Sequence, residues 1–403
     1  MTTPSAERRP PSPESVAERR APSAERRASN AEPGTGPTAR FTRGLWRSAM
    51  ASASDGNRVQ LLVDGPDTFD CMIAAIDDAR DYVSLETYLM MSDHTGQRFA
   101  GALAAAAARG ARVRVLADWI GSRGVARSFW KQLAAAKVDV RVFNPPGFHR
   151  WFNIIPRDHR KVFVADDKVA VTGGIGIADF WRGTVRRSRR AAWRDTGVRI
   201  EGPAVMDMGA AFETMWRRAA GEEPRPRRRD VHEPRGSHVD PANARGAVVG
   251  IIEGEPWRMR LARTYNLFAT AAERSFWLAS AYFFPSDAQM ESLAIAAMDG
   301  VDVRILVPGA SDHPWFGKFT RRTFKYLLQS GVRIWEWKGE MMHAKFGVID
   351  GQWVRVGSTD FNVLGVQVNY ELDALIQDPT LGAAAERMYL EDLDNSTEVK
   401  GEG

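Results

Sequence analysis

The sequence predicts an α/β protein built from two similar α/β sandwich halves, each with a mixed β-sheet, related by a pseudo-twofold axis and sharing one site. Three observations carry that prediction: strand-length apolar runs alternate with helical stretches, the body holds a diverged internal repeat, and one short polar pattern occurs twice at the same point of the repeat. The repeat shows in paired segments. "DARDYVSLETYLMMSD" (78–93) answers to "AAERSFWLASAYFFPSD" (271–287), and "AAARGARVRVLADW" (106–119) to "AAMDGVDVRILVPG" (296–309). "FWKQLAAAKVDVRVF" (129–143) answers to "TFKYLLQSGVRIWEW" (323–337). Each half reads strand, helix, strand, helix, strand, hairpin, helix.

A chain of 403 residues with 44% apolar residues has room for both halves and a sizeable core. Residues 1–50 read as a disordered Arg-, Pro- and Ser-rich tail, with three Ala-Glu-Arg-Arg repeats and a candidate interfacial helix at its end. The first half is expected over 51–220 and the second over 247–395. Between them, "GEEPRPRRRDVHEPRGSHVDPANARG" (221–246) is polar and without periodicity, so it reads as a linker; 396–403 reads as a flexible tail.

The net charge of +5 is concentrated outside the body. Residues 1–50 carry nine Arg and five Glu, and 217–236 carry seven Arg against four acids, which leaves the rest of the chain near −2. Bulk charge therefore gives no argument for a nucleic-acid groove. The single cysteine, Cys71, excludes an internal disulfide framework and reads as a small buried hydrophobe. No apolar run reaches the roughly 18–20 residues that cross a bilayer, and the N-terminus has no apolar core of a secretory signal. These features lead to the expectation of a protein on the cytoplasmic side.

The repeated pattern is His-x-Lys-x4-Asp. "RDHRKVFVADDKVAVTGG" (157–174) holds His159, Lys161 and Asp166; "MMHAKFGVIDGQWVRVGS" (341–358) holds His343, Lys345 and Asp350. In a strand, residues i and i+2 share a face, so each His projects beside its Lys. Asp350 precedes Gly351 between two strand-like runs, a hairpin signal, and Asp166 sits in the equivalent turn; both aspartates read as turn residues or supporting members. If both pairs face one cleft, two ammonium groups seat a phosphodiester. One neutral imidazole can then attack phosphorus while the other, protonated, serves the departing oxygen. That scheme calls for no metal or cofactor.

The duplicated pattern resembles that of the phospholipase D superfamily. The flanks "VTGGIGIADFW" (171–181), "WRDTGVRIEGPAV" (193–205), "VPGASDH" (307–313), "GVRIWEW" (331–337) and "NYEL" (369–372) resemble bacterial cardiolipin synthases without N-terminal membrane spans, over roughly residues 58–395. The resemblance implies a phospholipase D-like fold and phosphatidyl transfer to phosphatidylglycerol through a phosphohistidine. It assigns His159 as nucleophile and His343 as general acid, with Lys161, Lys345, Asp166 and Asp350 completing the catalytic set. Gly174, Ser358 and Asn362 are the expected substrate-binding positions. Two departures stand out: Gly176 and Asp360 occupy positions where the family commonly has asparagine, and the usual arginine is missing from "FNVLGVQVNYEL".

A lipid substrate implies a peripheral protein on an anionic membrane surface. The candidate contacts are "ARFTRGLWRSAM" (39–50), "NPPGFHRWFNII" (144–155) and "HPWFGKFTRRTFKYL" (313–327), the last of which also suits a buried helical face with Tyr326 and Leu327. Alternatives are hydrolysis of phospholipids to phosphatidic acid, a nucleic-acid phosphodiesterase, and a membrane scaffold with a degenerate site. Nucleic acid is not an expected partner, and the oligomeric state is open.

Overall fold

The computed structural model describes residues 37–146, 155–183, 191–222, 244–310 and 316–401. After α1 (Pro37–Ala49), the first half runs β1 (Ala53–Val63), α2 (Asp64–Asp78), β2 (Tyr82–Thr87), α3 (His94–Ala108), β3 (Arg112–Asp118), α4 (Arg127–Ala135) and β4 (Asp139–Phe143). The hairpin β5 (Lys161–Ala165) and β6 (Val169–Gly173) follows, then β7 (Thr196–Glu201) and α5 (Ala204–Ala219). The second half repeats this order: β8 (Ala247–Gly254), α6 (Arg260–Ala271), β9 (Ser275–Ser280), α7 (Asp287–Met298), β10 (Asp302–Pro308), α8 (Phe316–Gln329) and β11 (Arg333–Trp337). It closes with β12 (Lys345–Ile349), β13 (Trp353–Gly357), β14 (Glu371–Gln377), α9 (Pro379–Asp394) and β15 (Ser396–Glu398). The sequence reading found the middle of each half but not its opening strand and helix, nor the strand between hairpin and final helix.

The repeat is equally clear in the strand pairing. β2 lies parallel to β3 and antiparallel to β5; β9 lies parallel to β10 and antiparallel to β12. The strands line up as β15-β11-β10-β9-β12-β13-β14-β8-β1-β7-β6-β5-β2-β3-β4, so two mixed sheets join where β1 meets β8 antiparallel. Central strands covered on both faces are buried at nearly every position, as "YVSLET" and "SFWLAS" are, although the first also buries Ser84, Glu86 and Thr87. Helix starts are set locally. Asp93 accepts from Gly96 N–H ahead of α3, Ser286 and Gln289 form a capping box ahead of α7, and Asp378 with Pro379 opens α9.

One apolar cluster joins the halves: α5 and α9 pack with strand residues such as Val164, Val198, Phe346 and Val356. Two further clusters lie under α2–α4 and under α6–α8, each mostly within its own half.

Several expectations are corrected. Residues 37–49 form a helix, but its apolar side faces protein: Leu45 and Trp46 are buried, and Phe41 packs edge-on against Phe268 at 6.0 Å. A Cβ on Gly250 would collide with the Trp46 ring, so this glycine is what lets α1 dock on β8. Leu45 and Trp46 are therefore unavailable to a membrane. The C-terminal segment is not a tail throughout. Ser396–Glu398 pairs antiparallel with Trp335–Trp337 and covers what would be an open sheet edge at β11. Leu327 is buried as the helical spacing predicts, but Tyr326 is exposed. Cys71 is only half-buried. Residues 1–36, 223–243, most of the 144–155 loop and 311–315 lie outside the described residues.

Candidate active site

Each histidine stands two residues before the first strand of its hairpin, and each is held by the opposite half. The His159 N–H donates to the Tyr370 carbonyl at 2.9 Å, and the Tyr370 N–H donates to that of Arg157 at 2.9 Å. With the halves exchanged, the His343 N–H donates to the Arg194 carbonyl at 2.7 Å, and the Arg194 N–H to that of Met341 at 2.9 Å. Two short parallel bridges thus cross the interface and bring the motifs into one site.

The carboxylates that orient the rings are exchanged as well. His159 Nδ1 lies 3.0 Å from Glu371 Oε1, at the start of β14. His343 Nδ1 lies 2.8 Å from Asp195 Oδ2, just before β7. Facing an ionised carboxylate, which only accepts, each ring donates from Nδ1; that turns Nε2 away from the carboxylate, and His343 Nε2 lies 3.1 Å from Lys345 Nζ. The carboxylates are fixed in turn. Asp195 accepts from the Trp181 indole and from the Thr196 N–H, both at 2.8 Å. Glu371 accepts from the Ser358 hydroxyl. A Cβ on Gly174, the residue equivalent to Ser358, would run into the Asp195 carboxylate. The small residues after each hairpin therefore serve the carboxylates: one leaves room, the other donates.

Both lysines are buried and turn back on their own histidines. Lys161 Nζ donates to the His159 carbonyl at 2.6 Å, and Lys345 Nζ to that of His343 at 2.8 Å. Tyr88 and Tyr282 repeat the symmetry: their ring centres lie 5.4 Å from Lys161 Nζ and 5.7 Å from Lys345 Nζ, over cation–π contacts. The symmetry then breaks. Asp360 Oδ2 lies 3.4 Å from Lys345 Nζ, while the equivalent Gly176 has no side chain to give. His343 also lies against the rings of Trp181 and Trp193, each 5.4 Å away.

These contacts set the charges. Burial pushes His159 well below the ordinary histidine value, and Lys161, Lys345 and His343 push the same way. His343 is also lowered by burial and Lys345, but its bond to Asp195 and the charges of Asp195 and Asp360 oppose that. Burial brings Lys161 down to about 8 against the pull of Glu371. Burial pushes Glu371 well above the ordinary carboxyl value, opposed by Lys161 and Ser358.

The motif aspartates lie at the far end of each hairpin. Asp166 accepts from the N–H groups of Arg80, Asp81 and Tyr82; Asp350 accepts from those of Glu273, Arg274 and Ser275. Both adopt left-handed turn backbone, with φ of 52°. They pin hairpin to central strand and do not meet the histidines. Asn362 is likewise engaged with backbone: its Nδ2 donates to the Tyr282 carbonyl at 2.9 Å and its Oδ1 accepts from Gly365 N–H at 2.8 Å. Among the described residues, no group of three or more His, Cys, Asp or Glu side chains is placed to hold a metal ion.

The sequence reading missed Asp195, Glu371, Tyr88 and Tyr282. The tyrosines were readable, since each stands five residues before an aspartate in the paired segments 78–93 and 271–287. Asp195 and Glu371 differ in type, and nothing local says that they cross to the other half.

A family model described as "Cardiolipin synthase, PLD-like domain" matches residues 72–216 and 268–393. A cardiolipin synthase of Listeria welshimeri serovar 6b is 29% identical over 357 residues, covering 87% of this chain and 72% of that protein. Cardiolipin synthase 1 of Bacillus cereus is 30% identical over 352 residues, covering 86% and 69%. In fold, the chain is similar to phosphatidylserine synthase from Haemophilus influenzae Rd KW20, with a TM-score of 0.68 at 15% identity over 90% of this chain and 92% of that one. With two fused halves, crossed histidine–carboxylate pairs and a matching family model over both halves, the chain belongs to the cardiolipin synthase family of phospholipase D-like phosphatidyltransferases.

Proposed function

We propose that the protein condenses two phosphatidylglycerol molecules into cardiolipin and free glycerol, with His159 as the nucleophile and His343 as the acid and then the base. His159 Nε2 attacks the phosphorus of the first lipid; the phosphorus–oxygen bond to the head-group glycerol breaks, and His343 gives that oxygen its proton. His343, now neutral, takes the proton of a glycerol hydroxyl on the second lipid. That oxygen attacks the phosphatidyl–His159 intermediate, cardiolipin leaves, and both rings return to their starting states. Lys161 and Lys345 offset charge building on the phosphoryl oxygens.

The observation that carries the assignment is the unequal surroundings of the two rings. His159 feels cations from both halves and is held neutral, as a nucleophile must be. Burial and Lys345 lower His343 too, but Asp195 and Asp360 oppose that shift, so of the two rings it is the one with carboxylates working to keep its proton. Glu371 keeps His159 in the tautomer that exposes Nε2. Such a substrate would put the protein on the cytoplasmic face of the membrane as a peripheral protein; none of the described helices is long and apolar enough to span one.

Vesicles of labelled phosphatidylglycerol, given to wild type, His159→Ala and His343→Ala, test the reaction. Cardiolipin and glycerol in equal amounts from wild type alone support it. Phosphatidic acid as the sole product would replace transfer by hydrolysis.

A further inference from the structure

We infer that exposed apolar side chains around the mouth of the site, led by Trp257 and Leu364 and joined by Phe284, Val363, Ile155 and Phe180, form the surface that seats the protein on an anionic lipid bilayer. The inference rests on the phosphatidyl-transfer reading for its biological sense, but not for its geometry.

The loop between β13 and β14 starts at Ser358 and leads into Glu371, the first residue of β14, both of them in the site. It carries Val363 and Leu364, and three other segments hang on it. The Phe284 N–H donates to the Phe361 carbonyl at 2.9 Å, and the Trp257 N–H to that of Gln367 at 2.7 Å. The Arg157 N–H donates to Asn369 Oδ1 at 3.3 Å, which brings Ile155 to the same edge. On the His343 side, Phe180 stacks on Trp193 at 4.9 Å, and Trp193 stacks on His343. Trp257, Leu364 and Ile155 are 73%, 57% and 53% exposed.

Trp257 argues most strongly that this surface has an occupant. Its φ of 65° is a left-handed backbone that a bulky residue adopts at a cost of roughly 1–2 kcal/mol. With its ring in solvent, it recovers little of that from packing. A solvent-facing tryptophan in costly backbone fits a ring that meets something apolar outside the chain. Exposed Arg258 and Arg182 flank the rim, next to Trp257 and Trp181. Apolar side chains interleaved with arginine suit anionic head groups above acyl chains. The rim also lies where a bilayer would present its phosphates to the histidines. The α1 segment, by contrast, has buried its apolar residues in the fold.

The test sediments the full chain with vesicles of phosphatidylglycerol and phosphatidylcholine in equal parts. It compares wild type with Trp257→Ala, Leu364→Ala and the double variant. Met298→Ala is the control: Met298 is 64% exposed, but it ends α7 beside the start of β10, whereas the site lies past the opposite end of β9. The vesicle partition constant should fall roughly tenfold for each rim variant and about a hundredfold for the double, where tenfold is about 1.4 kcal/mol. The control should bind like wild type, and turnover of phosphatidylglycerol dispersed in detergent should be unchanged in all of them. Wild-type binding by the double variant, or equal loss in the control, would overturn the inference. Rim-dependent binding without product from wild type in detergent would leave this surface standing and reject the substrate reading instead.

Discussion

His159 and His343 occupy equivalent positions in the two halves, yet they meet different company. His343 lies against Trp181 and Trp193, hydrogen-bonds Asp195, and has its neighbour Lys345 paired with Asp360. His159 lies against Tyr88 and hydrogen-bonds Glu371, and the position equivalent to Asp360 in its half is Gly176, which carries no charge. The repeat supplies two identical acid–base groups, but the proposed reaction needs one nucleophile and one acid. Under the proposed mechanism the difference that bears on those tasks is Asp360, which pairs with Lys345 and works to keep the proton on His343. A departure from the family pattern, Asp360, thereby becomes intelligible: its charge is paired with a lysine rather than aimed at the phosphate.

The largest way to break this comparison is to remove the crossed carboxylates. Asp195→Asn and Glu371→Gln should each lower kcat on the order of 10³–10⁴-fold, because an amide no longer enforces the Nδ1–H tautomer. Steady-state assays with circular dichroism checks would measure it. Equal, small losses would mean the carboxylates are structural only. Next in size is the position after each hairpin. Gly174→Ala pushes a methyl into the Asp195 carboxylate and should cost about 10²-fold, whereas Ser358→Ala removes one donor from Glu371 and should cost about tenfold.

Asp360→Asn sharpens the comparison through pH. Removing an anion that favours protonated His343 lowers the pKa of that ring, so the alkaline limb of kcat against pH should move to lower pH. The acid limb, set by the need for neutral His159, should stay in place. A shift of the acid limb instead would exchange the two roles.

The smallest effect on chemistry is expected at Asp166. Asp166→Ala should lower stability by about 2 kcal/mol through loss of acceptors for three backbone N–H groups, with turnover per folded molecule nearly unchanged. Although burial acts against it, those hydrogen bonds hold Asp166 below the ordinary carboxylate range. Its contribution is therefore present above the ordinary value and fades as pH falls through the lowered one. The difference in Tm between wild type and variant should shrink in acid.

Much of this was legible in the sequence because the repeat turns a weak motif into a strong one. The halves, the hairpins and the four residues His159, Lys161, His343 and Lys345 follow from period-2 alternation and matching register. What escaped notice depended on contacts across the interface. Asp195 and Glu371 act on the opposite half's histidine, and local patterns do not encode such pairing. Trp46 read as an interfacial residue because its helix is amphipathic; Gly250 opposite it, more than 200 residues away, decides that the face is buried. β15 escaped because it is three polar residues with no apolar alternation, held by backbone pairing and by the Arg333–Glu398 ion pair across to β11.

The most direct test of the unequal histidines is to quench the enzyme during turnover of labelled phosphatidylglycerol and map the phosphorylated residue, in wild type and in His343→Ala. The account predicts label on His159 in both, with its formation slowed in the variant because the departing glycerol oxygen loses its proton donor. Label on His343 in wild type would contradict it.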